Sequence, residues 1–345
     1  MFYATIDCGT TNSRVYIVDE YGKIYGKATK QVGVRDTATT GSKDTLRNGL
    51  KETIVRASKD ADIDVKDIQA VFSSGMITSE IGLMEIPHLM APCGIEELAN
   101  SVTLVENAGL TDEKIPVYFV RGIKNHMQEK IENPTAIVGE LDFMRGEETQ
   151  VLGMLSDSRV KLPMMIVVLS SHTKFIPVSN TGKILGSLTT MSGQMYDAII
   201  HHTFVGKSVE KRENSEEMPE NYFDIAVIEE AVKWIKKGGI VRACMFPRFL
   251  DVLLDTKWYE RALFFDALIA AEDMLCVNTL DAICSQVPGN FVFVGHPERT
   301  RIYEYVIKKV FPNVRTSSIT EIREIDKLSI RGVLDIAKKA GLIHD

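Results

Sequence analysis

Asp7 closes an apolar run and is followed at once by Cys8-Gly9-Thr10-Thr11-Asn12-Ser13-Arg14. One tight turn thus offers backbone N–H groups, several polar side chains and a cation to a single small anion, and a phosphate fits that description. A carboxylate beside a phosphate is repelled unless a metal ion intervenes, so Asp7 points to Mg²⁺ carried with nucleotide phosphates. The plain alternative is a turn aspartate that caps its own backbone. The motif is written twice. Residues 5–25 (TIDCGTTNSRVYIVDEYGKIY) align with residues 165–185 (MIVVLSSHTKFIPVSNTGKIL) at a constant offset of 160. Thr10 and Thr11 meet Ser170 and Ser171, Ser13 meets Thr173, Arg14 meets Lys174, and Gly22-Lys23-Ile24 meets Gly182-Lys183-Ile184. Each copy reads as strand, hydroxyl-rich turn, strand and Gly turn. Two such turns facing each other across a cleft would hold a chain of phosphates.

Two more clusters bear chemistry. In Arg145-Gly146-Glu147-Glu148-Thr149-Gln150, a carboxylate partly withdrawn from water beside an arginine can act as general base toward a hydroxyl. Adjacent residues on a helix diverge by roughly a third of a turn, so only one of the two glutamates need face a given cleft. The alternative is the charged first turn of a helix, where glutamate suits the dipole. The stretch 293–301, FVGHPERTR, reads as a buried strand ending at Gly295, followed by a polar loop that opens a helix. Such a junction lets a nucleotide base or ribose lie against backbone. His172 and His296 are ligand or catalytic candidates, though a lone histidine is more often structural, and His201-His202 is too sparse for a metal site.

The elements that must position these residues alternate between strands and helices, which predicts an α/β architecture with a mixed sheet. After the first hairpin come a third strand within 26–34, a helix over 42–60 capped by Ser42, a buried strand 68–73 ending at a Ser74-Gly75 turn, a helix over 95–108 and a strand 117–120. The second half repeats the scheme. It has a third strand within 186–191, helices near 193–205, 224–237 and 257–276, a strand 291–294, and helices 298–310 and 330–340. The segment 207–222 reads as a solvated loop. The expected division is 1–150 and 151–345. The first lobe would carry the first phosphate turn and the substrate wall, and the second lobe the other turn and the adenosine site.

A chain of 345 residues is too long for one compact core and suits two domains. Its 45% hydrophobic and 25% charged content is ordinary for a globular protein. A net charge of −7 argues against nucleic acid or an anionic membrane as partner. There is no leader pattern and no apolar run long enough to span a bilayer. Five scattered cysteines suit reduced thiols rather than disulfides or zinc. The expected location is the cytoplasm.

DCGTTNSR at 7–14, DFMRGEETQ at 142–150, LSSHTKF at 169–175, TTMSGQMYDAIIHHT at 189–203 and FVGHPERTRIYEY at 293–305 resemble, in order and over nearly the whole chain, the 2-dehydro-3-deoxygalactonokinases. That family belongs to the sugar kinase, Hsp70 and actin superfamily. The resemblance implies two duplicated RNase H-like lobes (the actin-like ATPase fold) around a central interdomain cleft. It also implies ATP and Mg²⁺ as cofactors and in-line transfer of the γ-phosphoryl to a hydroxyl of a small sugar acid. Asp7, Gly9, Thr10, Thr11, Asn12 and Arg14 would form the first phosphate loop. Ser170, Ser171, His172, Thr173 and Lys174 would form the second, and Gly295 with His296 the adenosine site. Glu147 would be the base, with Glu148 and Asp142 in reserve, and Gly75, Met76, Ser79, Arg121 and Arg145 would line the substrate. A homodimer is the candidate assembly. The competing readings are a kinase for a different sugar or small metabolite, and a nucleotide-dependent switch or assembly protein of the same superfamily. The chain departs from the family pattern with Ser170-Ser171 in place of Gly-Thr, Glu80 in place of an arginine after Ser79, Leu83 in place of an aromatic, and His88 in place of a tyrosine. Arg35, Arg121 and Lys124 are the cations left to meet a carboxylate there.

Overall fold

The computed structural model describes residues 1–112, 114–127, 131–157 and 160–343. They form two compact units. The first comprises Met1–Pro163, Val178–Ser187 and the segment from Ile322 onward; the second comprises Met164–Pro177 and Leu188–Glu321. The division therefore falls elsewhere than at residue 150. Two late segments complete the first unit, each for a physical reason. Ile184 exchanges backbone hydrogen bonds with Cys93 (3.0 and 2.8 Å), and the last helix supplies a core face.

The first unit is built on a six-stranded sheet in the order Ile24–Lys30, Ser13–Val18, Phe2–Cys8, Ile68–Gly75, Val117–Phe119, Thr103–Leu104. The first three strands are antiparallel, and Ile68–Gly75 then runs parallel to Phe2–Cys8 and to Val117–Phe119. Both faces of this sheet are covered. Side chains alternate across a strand, so Ala4, Ile6, Cys8, Val15 and Ile17 pack with Leu46, Leu50, Ile54 and Ala57 of the helix Asp44–Asp60. Tyr3, Tyr16, Val18 and Phe72 pack with Ile330, Val333, Leu334 and Ala337 of the helix Ile322–Lys339. Burying an aliphatic side chain of this kind stabilises by roughly 1.5–3 kcal/mol. The helix Glu147–Leu155 lies against the same last helix with backbones touching. A Cβ on Gly332 would stand 1.8 Å from the Thr149 carbonyl oxygen, and one on Gly153 would stand 1.9 Å from that of Leu328.

The second unit has a five-stranded sheet in the order Leu188–Thr190, Thr173–Val178, Met164–Leu169, Asn290–Val294, Arg315–Ile319. The last three strands are parallel. Its order matches that of the first five strands of the first sheet, a hairpin, a third strand outside it and two parallel strands on the other side, without a counterpart to the edge strand Thr103–Leu104. Met164–Leu169 is buried at every position, as expected of a strand covered on both faces. The helix Trp258–Asp273 is buried nearly all round, with Phe265, Ala267, Leu268 and Ala270 at its core.

Several elements differ from expectation. The helix at Ile95 ends at Ala99, because Thr103–Leu104 instead pairs with Tyr118 and Phe119 as an edge strand. Lys43 occupies the N-cap of the helix Asp44–Asp60, while the Ser42 hydroxyl accepts from the Asp44 N–H at 3.1 Å. Helical geometry near 237 is interrupted at Gly239 (φ +68°) and resumes to Ala243. The last helix begins at Ile322. The helices Val34–Thr40 and Phe246–Leu254 and the strand Arg315–Ile319 carried no expectation.

Candidate active site

In the first unit, Asp7 and Arg14 are direct cross-strand partners, and Arg14 Nη1 donates to Asp7 Oδ2 at 3.2 Å. Desolvation pushes the Asp7 carboxyl above its ordinary pKa, and the Arg14 guanidinium pulls it back. The turn that follows is tight, with the Gly9 N–H donating to the Asn12 carbonyl at 2.9 Å. The segment after the third strand braces it, for Val34 and Arg35 donate their N–H groups to the Gly9 and Thr10 carbonyls, at 3.3 and 2.9 Å. Ser13 is fully buried, its hydroxyl on the Val32 carbonyl at 2.8 Å. Thr10, Thr11 and Asn12 remain open to solvent in part or whole, and the Asn12 amide donates to Thr11 Oγ1 at 3.2 Å.

The carboxylate cluster lies beside this turn. Cys8 pairs with Gly75 across parallel strands. Gly75 has φ +90° and no space for a side chain, since a Cβ would sit 2.5 Å from the Cys8 carbonyl oxygen. Gly146, at φ +114°, brings its own backbone up to Gly75, where a Cβ would come within 3.4 Å of the Gly75 Cα. Glycine is the residue that accepts both constraints. The helix Glu147–Leu155 therefore starts at the end of the strand that carries Asp7. Its two glutamates differ. Glu148 is fully buried, and both of its carboxyl oxygens accept from the Gly146 N–H at 2.8 Å. Desolvation and the neighbouring Glu147 charge push its pKa up to about 8. Glu147 is half-buried. Asp142 is also half-buried, and its carboxylate accepts from the Phe143 N–H at 2.6 Å.

The expected substrate wall is a cationic cluster around His88. Arg145 donates to Thr78 Oγ1 and to the Ile86 carbonyl (3.0 Å), and lies 3.4 Å from His88 Nδ1. Arg121 donates to the Pro87 carbonyl at 2.7 Å and to that of His88 at 3.5 Å. Burial, with Arg145, Lys124 and Arg121 nearby, drives the His88 pKa down to about 4. The ring is therefore neutral at physiological pH. Ser79 is buried, and its hydroxyl donates to the Met76 carbonyl at 2.7 Å. Glu80 and Arg35 are exposed, and Met76 is half-buried.

In the second unit, Ser170 and Ser171 are exposed at the hairpin turn, and the Ser170 N–H donates to the His172 carbonyl at 3.2 Å. The half-buried His172 has its Nδ1 3.3 Å from Ser171 Oγ. Thr173 and Lys174 are buried. The Thr173 hydroxyl lies 2.8 Å from Ser192 Oγ, and the Lys174 ammonium donates to Thr189 Oγ1 at 2.8 Å. Gly295 ends its strand with a Cβ position 2.8 Å from Leu169 Cβ, its N–H on the Ile319 carbonyl at 3.2 Å, and His296 is exposed. Sequence reasoning missed Arg299, Tyr303 and Asp273, which converge on this turn. Arg299 and Tyr303 stood inside a quoted motif, but Ser170, Thr173 and Ser192, which Arg299 also meets, are distant in sequence and carried no signal.

A family model for 2-keto-3-deoxy-galactonokinase matches residues 7–319. The chain belongs to the 2-keto-3-deoxy-galactonokinase family. Two curated relatives are distant in sequence. It is 23% identical over 208 residues to a probable 2-dehydro-3-deoxygalactonokinase DgoK1 of Rhizobium meliloti (strain 1021), a stretch covering 60% of this chain and 59% of that protein. It is 26% identical over 147 residues to the 2-dehydro-3-deoxygalactonokinase of Escherichia coli (strain K12), covering 42% of each. The matched stretches thus span about half of these curated relatives. A crystal structure of a Sinorhizobium meliloti protein assigned to the 2-dehydro-3-deoxygalactonokinases superposes with a TM-score of 0.69 at 18% identity, covering 97% of this chain and 98% of that one.

Proposed function

We propose that this chain transfers the γ-phosphoryl group of ATP to a hydroxyl of a 2-keto-3-deoxy sugar acid, with 2-dehydro-3-deoxygalactonate the first candidate, in the cytoplasm. The observation that carries the reading is the meeting of Cys8, Gly75 and Gly146, which sets the start of Glu147's helix beside the strand end that bears Asp7. Of the carboxylates Asp142, Glu147 and Glu148, Glu147 suits the base. Glu148 is enclosed and spends both oxygens on the Gly146 N–H, whereas Glu147 is partly accessible. Glu147 takes the proton of the attacking hydroxyl, and positioning supplies much of the remaining rate.

The turn Gly9–Asn12 would hold phosphate oxygens through its N–H groups and hydroxyls. Arg14 fixes Asp7 in place. The metal fits this donor set in one way: among the described residues no group of three or more His, Cys, Asp or Glu side chains converges, so Asp7 would join Mg²⁺ held chiefly by phosphates. When bound, that ion neutralises charge on the transferring group. In the second unit, Ser170, Ser171 and His172 would meet phosphates, and Gly295 with His296 the nucleoside. Thr173 and Lys174 shape that turn from beneath. Arg121, Lys124 and Arg145 around a neutral His88 would meet the carboxylate of the acid, the charge that Glu80 alone would repel. No helix among the described residues is long and apolar enough to cross a membrane.

The test is ADP release by the purified protein with Mg-ATP across sugars and 2-keto-3-deoxy sugar acids. Turnover with 2-dehydro-3-deoxygalactonate is the expected result. Turnover only with a neutral sugar would overturn the role given to the cations, and silence with every acceptor would overturn the kinase reading.

A further inference from the structure

We propose that Arg299 is a positioning residue that aims the backbone N–H groups of the Ser170–Thr173 turn at the nucleotide phosphates and ties that turn to the helix after Gly295. The inference rests on reading this turn as a phosphate turn. Arg299 sits near the start of the helix Pro297–Val310. Its Nη1 donates to the Ser170 carbonyl at 3.0 Å. Its Nη2 is within reach of Thr173 Oγ1 (3.0 Å), Ser192 Oγ (3.2 Å) and the Tyr303 hydroxyl (3.3 Å). Its guanidinium also lies over the Tyr303 ring, 5.5 Å from the centroid.

The anchor beneath it is buried. The Tyr303 hydroxyl donates to Asp273 Oδ2, and Thr190 Oγ1 donates to Asp273 Oδ1 at 2.6 Å. Asp273 is 2% exposed. A buried carboxylate engaged in this way is costly to disturb, so the chain from Asp273 through Tyr303 to Arg299 is stiff. The next carbonyl is held from another side. The Gln194 N–H, at the start of the helix Ser192–His202, donates to the Ser171 carbonyl at 2.8 Å. Gly193 allows that approach, because a Cβ there would fall 2.2 Å from the Ser170 carbonyl oxygen.

The consequence follows from peptide planarity. In a trans peptide the carbonyl of one residue and the N–H of the next point in opposite directions. Pinning the Ser170 carbonyl on Arg299 therefore fixes the direction of the Ser171 N–H, and pinning the Ser171 carbonyl on Gln194 fixes that of His172. Two successive N–H donors turned away from these anchors make a concavity suited to one anion. Because Arg299 itself belongs to the helix that opens after Gly295 and His296, one side chain sets the phosphate turn against the nucleoside seat.

The experiment is calorimetric titration of the full chain, wild type, R299A and R299K, with Mg-ATP and separately with adenosine, alongside thermal melting. Arg299→Ala should weaken Mg-ATP about 10- to 100-fold, the size of a lost charged hydrogen bond, and leave the adenosine dissociation constant within about twofold. Arg299→Lys keeps the charge and one donor but not the fork, so it should fall between the two, with a melting point near that of wild type. A merely structural role would instead lower the binding-competent fraction for both ligands equally. Should R299A fail to fold, R299K carries the same comparison. Unchanged Mg-ATP affinity in the folded variant, or equal loss for both ligands, overturns the proposal. A wild type that binds no Mg-ATP would sink the phosphate-turn reading itself, a distinct outcome.

Discussion

Glu147 and Glu148 are neighbours in the chain with opposite surroundings. Glu148 is enclosed, its carboxyl folded onto the Gly146 N–H, and Glu147 is half-buried. Replacing Glu147 by Gln should lower kcat by about 10²- to 10⁴-fold while the melting point stays close to wild type. Full activity in that variant would remove it as the base. Glu148→Gln tests the neighbour through pH. Its folded pKa of about 8 lies above the ordinary value of 4.5, so the native state binds the proton more tightly than the unfolded chain. The stability this contributes is complete below about pH 4.5 and is lost as pH rises through 8. An amide has no charge to bury. The stability advantage of Glu148→Gln over wild type, read from melts across pH, should therefore grow between pH 5 and pH 9, reaching on the order of a few kcal/mol. A difference that stays flat with pH would show that the carboxyl is not desolvated in this way.

The element that carries both glutamates is positioned by its contact with the last helix. The Gly332 Cα faces the Thr149 carbonyl with no space for a methyl group. Gly332→Ala must push the two helices apart, and it should destabilise the protein by about 2–4 kcal/mol. Because Thr149 follows Glu148 directly, kcat should fall together with the melting point. A variant as stable and as active as wild type would mean the helices do not meet there. This packing was invisible in the sequence, where Gly153 and Gly332 stand far apart with nothing to pair them. What the sequence did show was short-range. The two hairpins were legible because strand alternation and Gly turns are local signals, and strand 68–73 because its apolar run stops at Ser74-Gly75, although the strand itself runs on through Gly75. The overextended helix at Ile95 failed for the converse reason. Residues 100–108 look permissive for helix, but Thr103 and Leu104 gain backbone partners only at Phe119 and Tyr118. At the site, the turn residues were legible one by one. The inward direction of Ser79, Glu148, Thr173 and Lys174 was not, since it depends on partners from other segments.

At the scale of the whole molecule, the order of the chain and the order of the folded units disagree. The last helix seals one face of the first sheet through Ile330, Val333 and Leu334 against Tyr3, Tyr16 and Phe72, and Lys27 pairs with Asp326 at 2.7 Å. A linear reading, with a lobe ending at residue 150, implies that residues 1–150 can fold alone. The packing says otherwise, for that fragment leaves a face of large aromatic side chains uncovered and cuts the helix Glu147–Leu155 in its middle. Such exposed apolar area drives aggregation rather than a stable monomer. We expect the fragment 1–150 to be insoluble or to lack cooperative unfolding in a circular dichroism melt. A chain ending at residue 321 should likewise lose the first unit's cooperative transition and, with Asp7 and Glu147 both in that unit, all turnover. A folded, cooperative fragment 1–150 would mean that the last helix is dispensable to the first sheet, and that the two-segment completion of this unit contributes little to its stability.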